Sequence, residues 1–114
     1  NLIRIHRLLP ECPVALLALE GRAGWLARSD FMRWVSPCII HPFLADVTSE
    51  SITREHRRKR RVHVWTVNRA EDLETLFRWG ADGVFTDDPA LAMQIRSRVK
   101  TLLSDQTGET IPKP

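Results

Sequence analysis

Hydrophobic and polar positions along the chain switch repeatedly between two periods. Residues 14–19 (Val-Ala-Leu-Leu-Ala-Leu) form a short continuous apolar run, the pattern of a strand buried on both faces in a parallel sheet. Residues 35–41 predict a second strand, closed by Pro42. Residues 62–67 (Val-His-Val-Trp-Thr-Val) alternate and are rich in β-branched and aromatic side chains, which marks a third. Alternation there puts His63, Trp65 and Val67 on one face. Residues 83–86 predict a short fourth strand.

Helical periods fill the gaps. Leu2, Ile5 and Leu9 mark the end of a helix closed by Pro10 and Pro13. Trp25, Leu26 and Phe31 anchor an irregular helix over residues 25–34. Thr48 and Ser49 are candidate N-caps for a helix over about residues 51–60, with Ile52 its main apolar residue. Asn68 is the predicted N-cap of the next helix, with Glu71 three positions on as a capping box requires. Leu73, Leu76 and Phe77 share one face of that helix, and Gly80 sits where a left-handed stop is expected. Asp88 caps the last helix with Pro89 in its first turn, and Leu91, Ile95, Val99 and Leu102 line it.

Strand–helix alternation of this kind implies an α/β fold of about four parallel units with right-handed crossovers. At 114 residues the chain is one domain at most. It is too short for a complete eight-fold β/α barrel, which needs roughly 250. A single domain is expected over residues 1–104, followed by a polar, flexible tail over residues 105–114 with two prolines. The longest apolar run is residues 14–19, far below the ~20 residues of a membrane span, so no transmembrane segment is expected. The first residue is Asn1 rather than Met, as in a processed product or a piece of a longer polypeptide. No secretory leader pattern opens it, so a cytoplasmic location is expected.

Charge is local. Residues 54–61 hold six cations against Glu55, a net +5, while the whole chain carries +3. A uniformly basic nucleic-acid binder would not be patterned this way. A solvated helix end, where cations are favourable, is the commoner meaning of such a run, and no nucleic-acid partner is expected. Cys12 and Cys38 have no C-x-x-C spacing and read as reduced, half-buried thiols rather than a disulfide.

Val62-His-Val-Trp-Thr-Val-Asn68, followed by Leu73 and then Trp79-Gly-Ala-Asp-Gly-Val-Phe-Thr-Asp-Asp-Pro89, resembles the closing signature of the glycerophosphodiester phosphodiesterase family. Residues 9–17 resemble an earlier helix-to-strand passage of such domains, and residues 35–42 resemble the next strand. The resemblance covers about residues 2–92. It implies the C-terminal half of a TIM-type (β/α)8 barrel, an incomplete barrel holding strands five to eight. It implies a hydrolase of glycerophospholipid metabolism that cleaves glycerophosphodiesters to sn-glycerol 3-phosphate and an alcohol. A divalent cation, Mg or Ca, is expected for the complete domain and none for this chain alone.

The family's catalytic equipment does not appear in these residues. There is no His-Arg-Gly and no His-Asp dipeptide. Glu71-Asp72 is adjacent rather than spaced as Glu-x-Asp, and His6-Arg7 is followed by Leu8. His6, His56 and His63 have no metal-ligand spacing. Phosphodiester cleavage needs a base, an acid for the leaving alkoxide and positive charge on the non-bridging oxygens. No catalytic and no metal-binding residue is therefore assigned, and the fragment is expected to be inactive alone.

What remains is one wall of a substrate pocket, expected at the carboxyl ends of the strands. The resemblance puts Trp65 at the mouth, on the glycerol side of the substrate, against a packing role between strand and helix. His41 is a candidate phosphate contact or a structural histidine. Glu20 is a candidate pocket carboxylate or an exposed loop residue. Asn68 is a candidate substrate contact or simply the helix cap. Asp87 is a candidate to orient a loop or a neighbouring strand end, with a structural role expected. The alternative to a displaced piece of enzyme is a non-enzymatic half-barrel that self-associates, or completes a missing N-terminal half, through its open strand edges.

Overall fold

A computed structural model of the chain describes residues 4, 7–11, 15–17, 21–22 and 38–108. Among these residues four strands form one sheet in sequential order: β1 Ala15–Leu17, β2 Ile39–His41, β3 Arg61–Val64 and β4 Gly83–Val84. Every pairing is parallel, as the alternating periods require. Leu17 stands level with His41, Ile40 with Val62, His63 with Gly83 and Val64 with Val84. Past the regular ladder, Phe43 bridges to Trp65. The Trp65–Thr66 peptide is cis.

Among the described residues, three α-helices follow the strands: α1 Ser49–Arg57, α2 Ala70–Arg78 and α3 Pro89–Gln106. A short 3-10 turn, Leu44–Asp46, precedes α1. Helix α1 starts two residues earlier than the periodicity predicts, because Thr48 forms a reciprocal capping box with Ser51. Helix α3 is capped by Asp88, whose Oδ1 accepts from the Leu91 amide at 3.0 Å, with Pro89 at its first position. It runs to Gln106, past the start expected for the tail. Leu102 does not line the core as its spacing predicts and is 39% exposed, since α3 buries only Ala92, Ile95 and Val99.

The described core is the layer between sheet and helices. Ile40, Val62 and Val64 from the strands meet Ile52, Leu73, Leu76, Phe77, Ile95 and Val99 from the helices. Fully burying an aliphatic side chain of this size is worth about 1.5–3 kcal/mol, so this layer carries the fold. Val67 departs from the predicted alternation. It is fully buried in this core, whereas His63 and Trp65 are half-buried on the opposite face.

Glu55 and Arg60 are buried charges that the periodicity does not announce. Arg60 Nη1 donates to Glu55 Oε2 at 2.8 Å, and Arg58 Nη1 reaches Oε1 at 3.3 Å. Cys38 is a free, exposed thiol rather than a half-buried one. Cys12, the helix predicted over residues 25–34 and half of the first predicted helix lie outside the described residues. No described helix is long and apolar enough to cross a membrane.

Candidate functional site

The second face of the sheet, away from the helices, carries different chemistry. Side chains alternate along a strand, so the register brings Leu17, His41, His63 and Gly83 into one row. Phe43, Trp65 and Phe85 form the next row toward the carboxyl ends. The His41 and His63 rings stack with centroids 5.3 Å apart and planes at 19°. Phe85 meets His41 edge-on at 4.8 Å, and Phe43 meets Trp65 at 5.1 Å. Gly83 leaves room for the His63 ring, since a Cβ there would lie 3.1 Å from His63 Cδ2. Leu17 and Phe85 are 54% and 45% exposed. This aromatic face is thus open, while the helix-backed face is buried.

Hydrogen bonds cross from one strand exit to the next. The Trp65 indole N–H donates to the His41 carbonyl at 2.9 Å, which with the Phe43 contact fixes the indole beside β2. The Leu44 amide donates to the Trp65 carbonyl at 2.9 Å, and the Trp65 amide donates to the Pro42 carbonyl at 3.2 Å. The Gly21 amide donates to Asp46 Oδ2 at 3.2 Å, tying the loop after β1 to the turn after β2.

Asn68 closes the last gap, and this corrects its expected role. The N-cap of α2 is Arg69, with no side-chain cap bond. Asn68 Oδ1 instead accepts from the Asp87 amide at 2.9 Å and from Thr86 Oγ1 at 3.2 Å, while its Nδ2 donates to Asp87 Oδ2 at 2.7 Å. A backbone N–H only donates, so the amide orientation is fixed by Asp87 itself. Asn68 therefore locks the exit of β3 to that of β4.

His41 is held below the ordinary histidine range, first by partial burial and then by repulsion from His63. Of the four candidate pocket contacts, Trp65, His41 and Asn68 gather at the carboxyl ends of β2 and β3. Glu20 lies outside the described residues. His63, Phe43 and Phe85 complete the aromatic rows. The shared face of His63 and Trp65 was legible from alternation, but the His41–His63 stack needed the strand register. Among the described residues, no group of three or more His, Cys, Asp or Glu side chains could hold a metal ion. The residues described thus do not by themselves supply the ligand set for the cation that the sequence resemblance implies.

A parallel sheet backed by helices, with polar and aromatic groups gathered at the carboxyl ends of its strands, is the architecture of β/α-barrel proteins. The chain belongs to the glycerophosphoryl diester phosphodiesterase family, whose model matches residues 1–91. It is 27% identical over 103 residues to a glycerophosphodiester phosphodiesterase of Bacillus altitudinis, covering 88% of this chain and 40% of that one. It is 36% identical over 50 residues to one from Caldanaerobacter subterraneus subsp. tengcongensis, covering 44% of this chain and 21% of the relative. A solved structure from Silicibacter pomeroyi bearing the same family name superposes with a TM-score of 0.74 at 25% identity, over 85% of this chain and 34% of that one. The chain therefore spans less than half the length of each of these relatives.

Proposed function

We propose that this chain is the C-terminal half of the (β/α)8 barrel of a glycerophosphodiester phosphodiesterase, spanning residues 1–104 with a polar tail beyond. The observation that carries this reading is the open aromatic face of a sheet whose other face carries the buried core residues Ile40, Val62 and Val64. In a closed barrel that face is the interior, filled by side chains from all the strands. Leu17, His41, His63 and Phe85, which share that face, support the reading as the side chains that would meet such a complement. The matched relatives are more than twice as long, which is room for the remaining strands.

In this reading Trp65, His41 and Asn68 form one wall of the mouth, and Glu20, expected from the sequence as a pocket carboxylate, is assigned to the same wall by resemblance alone. Trp65 presents an apolar ring to the glycerol side. His41 faces the phosphate side, and Asn68 keeps the β3 and β4 exits in register. The general base, the general acid and the carboxylates for Mg or Ca come from the other half. This chain alone then has a substrate wall without a reacting group.

Purified chain is expected to hydrolyse glycerophosphocholine at background rate with either cation. Addition of an N-terminal half from a family member is expected to restore turnover, and Trp65→Ala is then expected to weaken it chiefly through KM. Robust hydrolysis by the chain alone would overturn the division of labour. The second reading, a half-barrel that pairs with a copy of itself, rests on the same open face and on the outer edges of β1 and β4, which no strand pairs among the described residues. Sedimentation over a range of concentrations separates the two: a concentration-independent monomer removes the self-pairing form.

A further inference from the structure

The end of the sheet opposite the candidate mouth carries a charge pattern that the proposed reaction does not use. Helices that follow parallel strands run back toward the strands' amino ends, so α1, α2 and α3 all terminate there. Residues 54–61 sit at the end of α1 and the start of β3. Their one carboxylate, Glu55, is buried and engaged by Arg60 and Arg58. Nearby Asp82 is taken by His56 Nε2 at 2.7 Å and by the Val62 amide at 2.8 Å. Arg54, Arg57, Lys59 and Arg61 are left exposed, and none forms an ion pair with a described residue.

The same end also exposes apolar side chains. Trp79, at the end of α2, is 38% exposed, next to Gly80, where a Cβ would lie 3.8 Å from His56. Leu102 and Leu103, in the last turns of α3, are 39% and 40% exposed. Cations with an indole and aliphatic side chains at one end of a molecule match the two layers of an anionic bilayer surface, charge outside and hydrocarbon beneath. Nucleic acid would use the cations and the indole, but it offers nothing to two exposed leucines.

We infer that Arg54, Arg57, Lys59 and Arg61, with Trp79, form a docking surface for anionic phospholipid membranes. The surface faces away from the mouth, so docking leaves the carboxyl ends of the strands open to the aqueous side.

The test is cosedimentation of the full chain with vesicles of phosphatidylcholine alone or mixed with phosphatidylserine. Binding is expected to the mixed vesicles and not to the neutral ones. It should fall steeply as salt rises through about 0.1 M, where screening shortens to ~10 Å. The combined variant R54Q/R57Q/K59Q/R61Q should partition about 100- to 1,000-fold more weakly, since each cation near such a surface contributes roughly fivefold. Arg69→Gln, at the opposite end of α2, should bind as the parent does. Equal binding to both vesicle types, salt-insensitive binding by the parent, or an unchanged folded quadruple variant would each overturn the inference. So would tighter binding to an oligonucleotide than to the mixed vesicles, which would assign the patch to nucleic acid. Should the quadruple variant not fold, the parent's salt and lipid dependence alone decides. None of these readouts depends on the proposed enzymatic role.

Discussion

Helices α1 and α2 have the same length, nine residues each, and close on the same backbone motif, yet the side chains that complete it differ. In α1 the Lys59 amide donates to the His56 carbonyl and the Arg60 amide to the Glu55 carbonyl. In α2 the Gly80 amide donates to the Phe77 carbonyl and the Ala81 amide to that of Leu76. Both are Schellman motifs, which bring the residue just past the cap against the last turn. In α2 that pair is Leu76 and Ala81, both in the core. In α1 it is Glu55 and Arg60, a buried ion pair in the same place. The left-handed residue is Gly80 in one and Lys59, at φ 59°, in the other. One geometry is thus met by an apolar contact or by charge, and the second solution tolerates loss of a partner far less.

The largest effect is expected at that ion pair. Glu55→Ala leaves Arg60 charged and buried, and should cost about 3–5 kcal/mol in urea unfolding. The double variant Glu55→Leu/Arg60→Ala transplants the α2 solution and should be close to neutral or stabilising. A double variant as unstable as the single one would show that the two helix ends are not equivalent. Next comes the left-handed position. Gly80→Ala should cost about 1–2 kcal/mol, because a Cβ at φ 88° is strained. Lys59→Gly should gain up to ~1 kcal/mol, the relief of strain being partly offset by chain entropy.

The helix starts differ too. Thr48→Ala removes the α1 capping box and should cost about 1 kcal/mol. Arg69→Ala removes no cap bond from α2 and should stay within about 0.5 kcal/mol. Equal losses would mean that the α2 start is held by something other than packing and the Asn68 tie.

The smallest effect belongs to His41. Its proton affinity is depressed in the folded chain by burial and by His63. The unfolded chain then binds more protons as pH falls through the ordinary histidine range, so His41's contribution is present above that range and lost below it. Urea midpoints at neutral and mildly acidic pH should fall less steeply for His41→Asn than for the parent. An identical slope would place the titrating group elsewhere.

Much of the frame was readable from the chain itself. The apolar runs at 14–19 and 62–67, the Thr48 and Asp88 caps and the Gly80 stop are short-range signals, because hydrophobic period and capping act over a few residues. Order and parallel sense follow from them. The ends of elements were less legible: Leu102 has the spacing of a core residue, but no neighbouring element reaches it.

Asn68 shows where sequence stops. Its place before a helix, with Glu71 three residues on, satisfies every local rule for a cap, yet Asp87 and Thr86, 19 and 18 residues away, claim its side chain. The His41–His63 stack and the Trp65 bond to the His41 carbonyl depend likewise on the register of neighbouring strands. Local propensity thus determined the elements and their sequence. Tertiary structure decided which polar groups face one another, since a hydrogen-bonding side chain serves whichever partner packing delivers to it.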